Sequence, residues 1–326
     1  MRVLITGGAG FVGSHLADRH VQAGDEVVIV DDFSTGSRAN IEHLDQEVIN
    51  VVPGRVEELA DFGDLLDGVD RIYHLAAAVG VFSVLSRPLD ALRRNLGASE
   101  VVFREAAQRG IRTLFTSTSE VYGKNNADAL NESDDSIFGP TSVSRWLYAI
   151  SKAADECLAL AYKREEGLPI TVARLFNTTG PRQTGAYGMV LPRFVRQALA
   201  AEALTVFGDG RQTRCFTNVF DVVEALTRLS ETDEAIGHVV NVGYPQEIEI
   251  TELARLVIQI TESPSVLKSV DYETAYGAGF EDMRRRVPDV SLLRELTGYV
   301  PATGLEATIR QVVADCRQRG GPKVPA

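Results

Sequence analysis

The chain has 326 residues, of which 44% are hydrophobic and 24% charged, and its formal net charge is −12. That length predicts two domains, or one large domain with an appended lobe, and the composition is that of a globular protein in water. The acidic balance and the lack of a basic run exclude a nucleic-acid footprint. No apolar run approaches 18 residues, so no membrane span is expected.

The opening residues MRVLITGGAG have no signal-peptide apolar region, so the expectation is a cytoplasmic protein. Cys157, Cys215 and Cys316 are odd in number and far apart, with no CxxC and no His at ligand spacing. A disulfide framework and a metal site are therefore not expected.

Arg2 to Thr6 is an apolar strand running into Gly7-Gly8-Ala9-Gly10-Phe11-Val12-Gly13 and then into the helical pattern Ser14 to Ala23. The spacing of Gly7, Gly10 and Gly13 permits a tight turn, close approach of backbone to a pyrophosphate, and tight helix–strand packing. The N–H groups at the helix start face the anion. Glycine-rich turns are common, so context decides. Glu26 to Val30 is a second strand ending in Asp31-Asp32, and Asp31 stands about 20 residues beyond the glycines, where a carboxylate takes a ribose 2′-OH. Such a carboxylate repels a 2′-phosphate, which predicts NAD rather than NADP. The plain alternative is that Asp31 caps a loop.

Val48 to Val52, Arg71 to Leu75, Thr113 to Thr116 and Thr171 to Leu175 read as buried strands, with helices around Leu59 to Leu66, Leu89 to Gln108 and Leu147 to Glu166. Strand–helix alternation predicts an α/β fold with a doubly wound parallel Rossmann sheet, and its ligands belong at the carboxyl ends of the strands. One strand ends in His74-Leu75-Ala76-Ala77-Ala78, small residues that suit a flat cofactor, with His74 read as a packed histidine. Another delivers Phe115-Thr116-Ser117-Thr118-Ser119-Glu120 to the same edge. There Thr118 can bind a reacting hydroxyl and Glu120 is a candidate acid/base or water-orienting group. Thr116 and Ser117 read as turn chemistry.

Within Leu147 to Glu166, Tyr148 and Lys152 lie one helical turn apart on a common face. A phenol is a poor base near neutrality, and bringing its pKa from about 10 to about 7 requires roughly 4 kcal/mol of differential interaction. One close cation at an effective dielectric constant of about 20 is worth about that much. Lys152 is thus expected to make Tyr148 a proton acceptor for a hydroxyl that is losing hydride. An ordinary helix with Tyr148 packed and Lys152 solvated would explain an isolated YxxxK. The glycine turn and Asp31 favour the catalytic reading.

Together TGGAGFVG, Asp31, HLAAA, TSTSEVYG and YAISK resemble the extended short-chain dehydrogenases/reductases that modify nucleotide-activated sugars. RLFNTTGPRQ (174–183), LTVFGDGRQTRCFTNVFDVVEAL (204–226), NVG (241–243) and RRRVPD (284–289) agree, so the resemblance spans nearly the whole chain. The family's 4,6-dehydratases typically carry Thr-Asp-Glu where this chain has Thr118-Ser119-Glu120, and its simple 4-epimerases typically lack the acid. Thr-Ser-Glu is similar to the UDP-glucuronate decarboxylases, both the UDP-xylose synthases and the 4-keto-pentose-forming enzymes of lipid A modification. Arg145-Trp146 before the tyrosine and YGAGFEDMRRRVPD (276–289) also resemble the latter group and the plant apiose/xylose synthases.

The resemblance implies an NAD-binding domain over residues 1–176 and a smaller C-terminal α/β substrate-binding lobe over 177–326, with some segments interleaved. It implies that NAD meets Gly7, Gly10, Phe11, Val12, Gly13, Asp31, Asp32, Ser34, Thr35, Gly36, Val56, Leu75, Ala76, Ala77, Asn95, Tyr148 and Lys152. Tyr148, Lys152, Thr118, Ser119, Glu120 and Arg286 would be the catalytic set. Asn177, Arg193, Val206, Phe207, Arg214 and Arg286 would hold a UDP-sugar, with Arg286 beside the sugar carboxylate, and the protein would be a homodimer. Two departures stand out: Arg55-Val56 replaces the family's adenine-binding Asp and apolar residue, and Thr179 stands where an aromatic is usual. Three functions stay open: UDP-glucuronate decarboxylase, the favoured one; UDP-hexose 4-epimerase; and, less favoured, a 4,6-dehydratase or a non-catalytic NAD-sensing protein.

Overall fold

The computed structural model describes residues 1–78, 87–185, 188–271 and 283–320. Residues 276–282 of the family-like stretch and the tail from residue 321 lie outside the described residues. The first strands are β1 (Arg2–Thr6), β2 (Glu26–Asp31), β3 (Ile49–Pro53), β4 (Arg71–His74), β5 (Arg112–Thr118) and β6 (Ile170–Leu175). With Val239–Val242 they form a seven-stranded sheet in the order Val239–Val242, β6, β5, β4, β1, β2, β3. Every pairing in it is parallel. Parallel neighbours require crossovers, and the helices that supply them cover both faces of the sheet.

On one face, Leu16 and Ala17 of helix Phe11–Gln22 pack with Val222, Leu226 and Leu229 of helix Val219–Glu231 and Leu293 of helix Ser291–Thr297. On the other, Val102, Phe103 and Ala106 of helix Pro88–Arg109 join Ala159 of helix Leu147–Glu166 against Leu4, Ile72, Phe115 and Val172. A separate apolar cluster unites helices Val190–Leu199, Ile250–Thr261 and Leu305–Gln318 around Leu204 and Val206. The chain after residue 177 thus builds this second cluster and also sends Val239–Val242 and two helices back to the main sheet.

The expected helix Leu59 to Leu66 is only a 3-10 turn, Phe62–Leu66. Eight residues containing Gly63 and two aspartates cannot offset the cost of nucleating an α-helix, so Phe62 and Leu66 are buried from a tighter turn instead. Thr116 and Ser117 lie within β5 rather than in a turn. The Thr116 hydroxyl donates to the His74 carbonyl, and that of Ser117 to Glu156. No described helix is long and apolar enough to cross a membrane, and the three cysteines are free thiols.

Candidate active site

The carboxyl ends of β1, β2, β4, β5 and β6 open into one cavity of about 500 Å³ that continues toward helix Val190–Leu199. Its lining includes Gly7, Gly10, Phe11, Val12, Gly13, Asp31, Asp32, Ser34, Thr35 and Val56 at one end, with Leu75, Ala76 and Ala77 along one wall. Thr118, Ser119, Glu120, Tyr148 and Lys152 line the middle, and Asn177, Arg193, Phe207, Arg214 and Arg286 the far part. Three expected residues do not line it: Gly36, Asn95 and Val206. A side chain at Gly36 would meet the Ala9 backbone and Asp31 at about 3 Å. Asn95 stands behind the wall, accepting from the Ala78 N–H (2.7 Å) and donating to Ser151 (3.0 Å). Val206 packs into the second apolar cluster.

The glycine turn is made of backbone. Gly7 has φ +70, and a Cβ on Gly13 would stand 2.2 Å from the Gly7 carbonyl oxygen, so neither position admits a side chain without a shift. Gly10 precedes helix Phe11–Gln22 with no side-chain cap, which leaves the first-turn N–H groups directed at an anion. Asp31 accepts from the N–H groups of Ala9 (2.9 Å) and Phe33 (2.8 Å), fixing the turn. Burial raises its carboxyl, those donors opposing. A carboxylate has about four lone-pair sites, so capacity remains for a ribose hydroxyl. Asp32 takes Ser34 and Arg55 (3.2 Å), with Arg94 at 3.3 Å. Burial resists its charge, but Ser34, Arg55 and Arg94 hold the carboxyl below its usual range. Arg55 is thereby bound to carboxylates at the cavity rim. This end fits a dinucleotide: glycine backbone and an uncapped helix start for phosphates, a carboxylate for ribose, an alanine wall for a flat ring.

His74 is the packed residue it was read to be. Thr6 Oγ1 lies 2.7 Å from Nδ1 and accepts the Leu75 and Ala76 N–H groups, so the wall is pinned from behind. Burial, with Lys152 nearby, drives the imidazole down to about 3, so it stays neutral.

Tyr148 and Lys152 both line the cavity from the first two turns of helix Leu147–Glu166. Burial, then the carboxylates of Glu120 and Asp155, push the Tyr148 phenol up. Burial also pushes the Lys152 ammonium down, against the pull of Asp155 and Glu156. The sequence showed the i,i+4 pair but not how dry the site is, and desolvation penalises both charged forms.

Glu120 lies in the 3-10 turn Ser119–Tyr122, whose cap is Thr118, the Thr118 hydroxyl accepting the Glu120 N–H at 3.2 Å. Arg145 donates to both Glu120 oxygens, at 2.5 and 3.2 Å. Arg286 donates to Glu120 at 3.1 Å and to Ser119 at 3.2 Å. Burial works against the Glu120 charge, but Arg145 and then Arg286 override it and hold the carboxyl down at about 2. A group so acidic is a carboxylate near neutrality, able to accept hydrogen bonds from a hydroxyl or a water. Sequence reasoning assigned no role to Arg145; its signal was the position three residues before Tyr148, which swings it to the same side of the helix start.

At the far part of the cavity Asn177 has φ +27, a conformation asparagine tolerates better than most residues. Its amide donates to the Cys215 carbonyl at 2.8 Å. Arg193 lies over the Phe207 ring at 4.0 Å and donates to the Thr205 carbonyl, and Arg214 donates to the Thr213 carbonyl at 2.7 Å. Thr179, in place of an aromatic, is buried and donates to Gln183 at 2.8 Å. Among the described residues no group of His, Cys, Asp and Glu side chains is arranged to hold a metal ion.

A parallel doubly wound sheet with a glycine turn, the Asp31 carboxylate at the end of β2 and a Tyr–Lys pair in one cavity defines an NAD-dependent short-chain dehydrogenase/reductase of the extended type. Residues 3–243 match the NAD dependent epimerase/dehydratase family, and the chain belongs to it. It is similar to UDP-N-acetyl-alpha-D-glucosaminuronate decarboxylase of Bacillus cytotoxicus, at 39% identity over 96% of each chain. It is also similar to UDP-glucuronic acid decarboxylase 4 of Arabidopsis thaliana, at 38% identity over 98% of this chain and 69% of that one. Among solved structures, UDP-glucuronic acid 4-epimerase from Bacillus cereus, in complex with UDP-glucuronic acid and NAD, superposes with a TM-score of 0.88 at 26% identity, covering 98% of this chain and 100% of that one. The protein is accordingly an enzyme, and its cofactor is NAD.

Proposed function

We propose that the enzyme decarboxylates a UDP-linked hexuronate, with UDP-glucuronate as substrate and UDP-4-keto-pentose or UDP-xylose as product. The observation that carries this reading is the convergence of Arg145 and Arg286 on Glu120 in the cavity that holds Tyr148. Guanidinium forks match carboxylate geometry, so a pair of them serves a hexuronate and is wasted on a hydroxymethyl group. Decarboxylases at 39% and 38% identity support it.

In this reading Tyr148 takes the proton of the sugar 4-hydroxyl. Bound NAD supplies the hydride acceptor for C4 and a positive charge beside the phenol. The resulting 4-ketone is β to the C5 carboxylate, so the C5–carboxylate bond can break with its electron pair passing into an enolate as CO2 leaves. A proton then adds at C5, and the C4 ketone either leaves as UDP-4-keto-pentose or takes back the hydride given up in the first step together with the proton held by Tyr148, giving UDP-xylose. Glu120, held ionised, anchors the two arginines and accepts hydrogen bonds from sugar or water, while Thr118 and Ser119 orient the ring. Lodging the substrate carboxylate in a dry site favours its loss as neutral CO2. Lys152 maintains the charge balance at Tyr148. Asn177, Arg193 and Arg214 hold the nucleotide diphosphate, with Phe207 at the base.

A second substrate, the 2-acetamido hexuronate, is favoured by the Bacillus cytotoxicus relative. The epimerase reading is favoured by structural neighbours of lower identity, such as the Bacillus cereus enzyme at 26%. We propose a homodimer through helices Pro88–Arg109 and Leu147–Glu166, on which Leu89 and Leu96 stand seven residues apart with 59% and 37% of their surface exposed. Mass spectrometry of products from UDP-glucuronate, its 2-acetamido analogue and UDP-glucose, each with NAD, tests the function. A UDP-pentose from UDP-glucuronate is expected; a C4 epimer of equal mass, separated by chromatography and identified by proton NMR, would assign the enzyme to the epimerases.

A further inference from the structure

One carboxylate of the site has no part in the scheme above. Asp155 lies one turn beyond Lys152 on helix Leu147–Glu166 and has no exposed surface. Neither of its oxygens has a hydrogen-bond partner of ordinary geometry among the described residues. Its near cation is Lys152, whose Nζ is 3.8 Å away, itself buried and 4.2 Å above the Phe115 ring. A buried carboxylate with few and poorly aligned donors is costly and persists as an anion only beside a cation, and a buried ammonium has the mirror requirement.

The other groups facing this pair do not meet that need in the same way. Glu156, next along the helix, is held by Arg174 at 2.7 Å and by Ser117. From β4, His74 is neutral, tied to Thr6 and, at 3.3 Å, to Ser99. From helix Pro88–Arg109 come Asn95, uncharged, and Ser99, whose hydroxyl favours the Asp155 carboxylate as a hydrogen-bond donor but brings no charge. From the end of β5, Glu120 is clamped by Arg145 and Arg286. Asp155 is thus the carboxylate whose ionisation depends on Lys152.

We propose that Asp155 is a positioning residue, the resident counterion that keeps Lys152 charged in a site otherwise dry enough to strip its proton. Opposite charges at this separation in a poorly solvated site attract strongly enough to decide which protonation state exists. The inference rests on the reading that Lys152 serves Tyr148, and it holds for any sugar oxidised at C4.

The test is the titration of Lys152, followed by NMR in protein carrying 13C at lysine Cε, in wild type and in Asp155→Asn with NAD bound. This readout needs no substrate, so it fails or succeeds independently of the decarboxylase assignment. The Lys152 pKa is expected to fall by about one pH unit or more in Asp155→Asn, with partial recovery in Asp155→Glu. An unmoved Lys152 titration in a folded variant would overturn the proposal. Wild-type protein labelled at the aspartate carboxyl carbon supplies a test that needs no variant. Asp155 ionised and Lys152 protonated at pH 7 supports the counterion role, and either of them neutral at that pH overturns it.

Discussion

The two ends of the cavity are built on opposite principles. The cofactor end is backbone: Gly7, Gly10, Gly13 and an uncapped helix start, contiguous in the chain, with Asp31 tying the turn in place. The reacting end is side chain: Glu120, Arg145 and Arg286 meet in one ion cluster though 166 residues separate Glu120 from Arg286. A backbone site tolerates almost any sequence around it provided nothing is added. A charged cluster tolerates little removal, since each buried charge left without its partner costs several kcal/mol.

Three substitutions sharpen that contrast. The largest effect belongs to Tyr148→Phe, which removes the proton acceptor and leaves the cavity otherwise intact. The turnover number should fall by about 10³-fold with NAD affinity nearly unchanged, as read by steady-state kinetics beside calorimetric NAD titration. Next comes Arg286→Lys, which keeps the charge and loses the fork. It should lower kcat/KM for a hexuronate by about 10²-fold while leaving NAD binding alone. Should NAD binding weaken equally, the two ends would not be separable. The smallest of the three is Gly13→Ala, whose new Cβ would press the Gly7 carbonyl at 2.2 Å. NAD affinity should drop by about tenfold, the cost of a backbone shift of roughly 1–3 kcal/mol, with the ion cluster unaffected.

The same contrast predicts a pH signature. The Glu120 carboxyl is depressed in the folded state to about 2. A depressed carboxyl contributes stability that is fully present above its ordinary value near 4.5, declines as pH falls below that, and is lost once pH passes about 2. The stability difference between wild type and Glu120→Gln should therefore be flat from pH 5 to 8 and shrink below about pH 4.5, measured by urea unfolding. A difference that grew on acidification would mean that Glu120 is not held ionised.

The two ends were also unequally legible in the amino-acid sequence. Strand alternation, the glycine spacing and Asp31 are local patterns, and the parallel sheet and the turn follow from them. The Tyr148–Lys152 pair was equally plain, but its electrostatics were not: burial and the carboxylates of Glu120 and Asp155 are matters of tertiary packing, and they push the phenol up. Arg286 could be placed only by family resemblance, because no periodicity links residue 286 to residue 120. Arg145 went without a role for the same reason, since its partner lies on another strand end. Asn95 stands behind the cavity wall and Val206 packs into the second apolar cluster, placements that spacing alone does not carry.

The most direct measurement uses UDP-glucuronate labelled with 13C at the carboxyl carbon, incubated with NAD and either the wild-type enzyme or Tyr148→Phe. The account predicts labelled CO2 and an unlabelled UDP-pentose from the wild type and neither from the variant. Label retained in a UDP-hexuronate with the wild-type enzyme, however long the incubation, would contradict it.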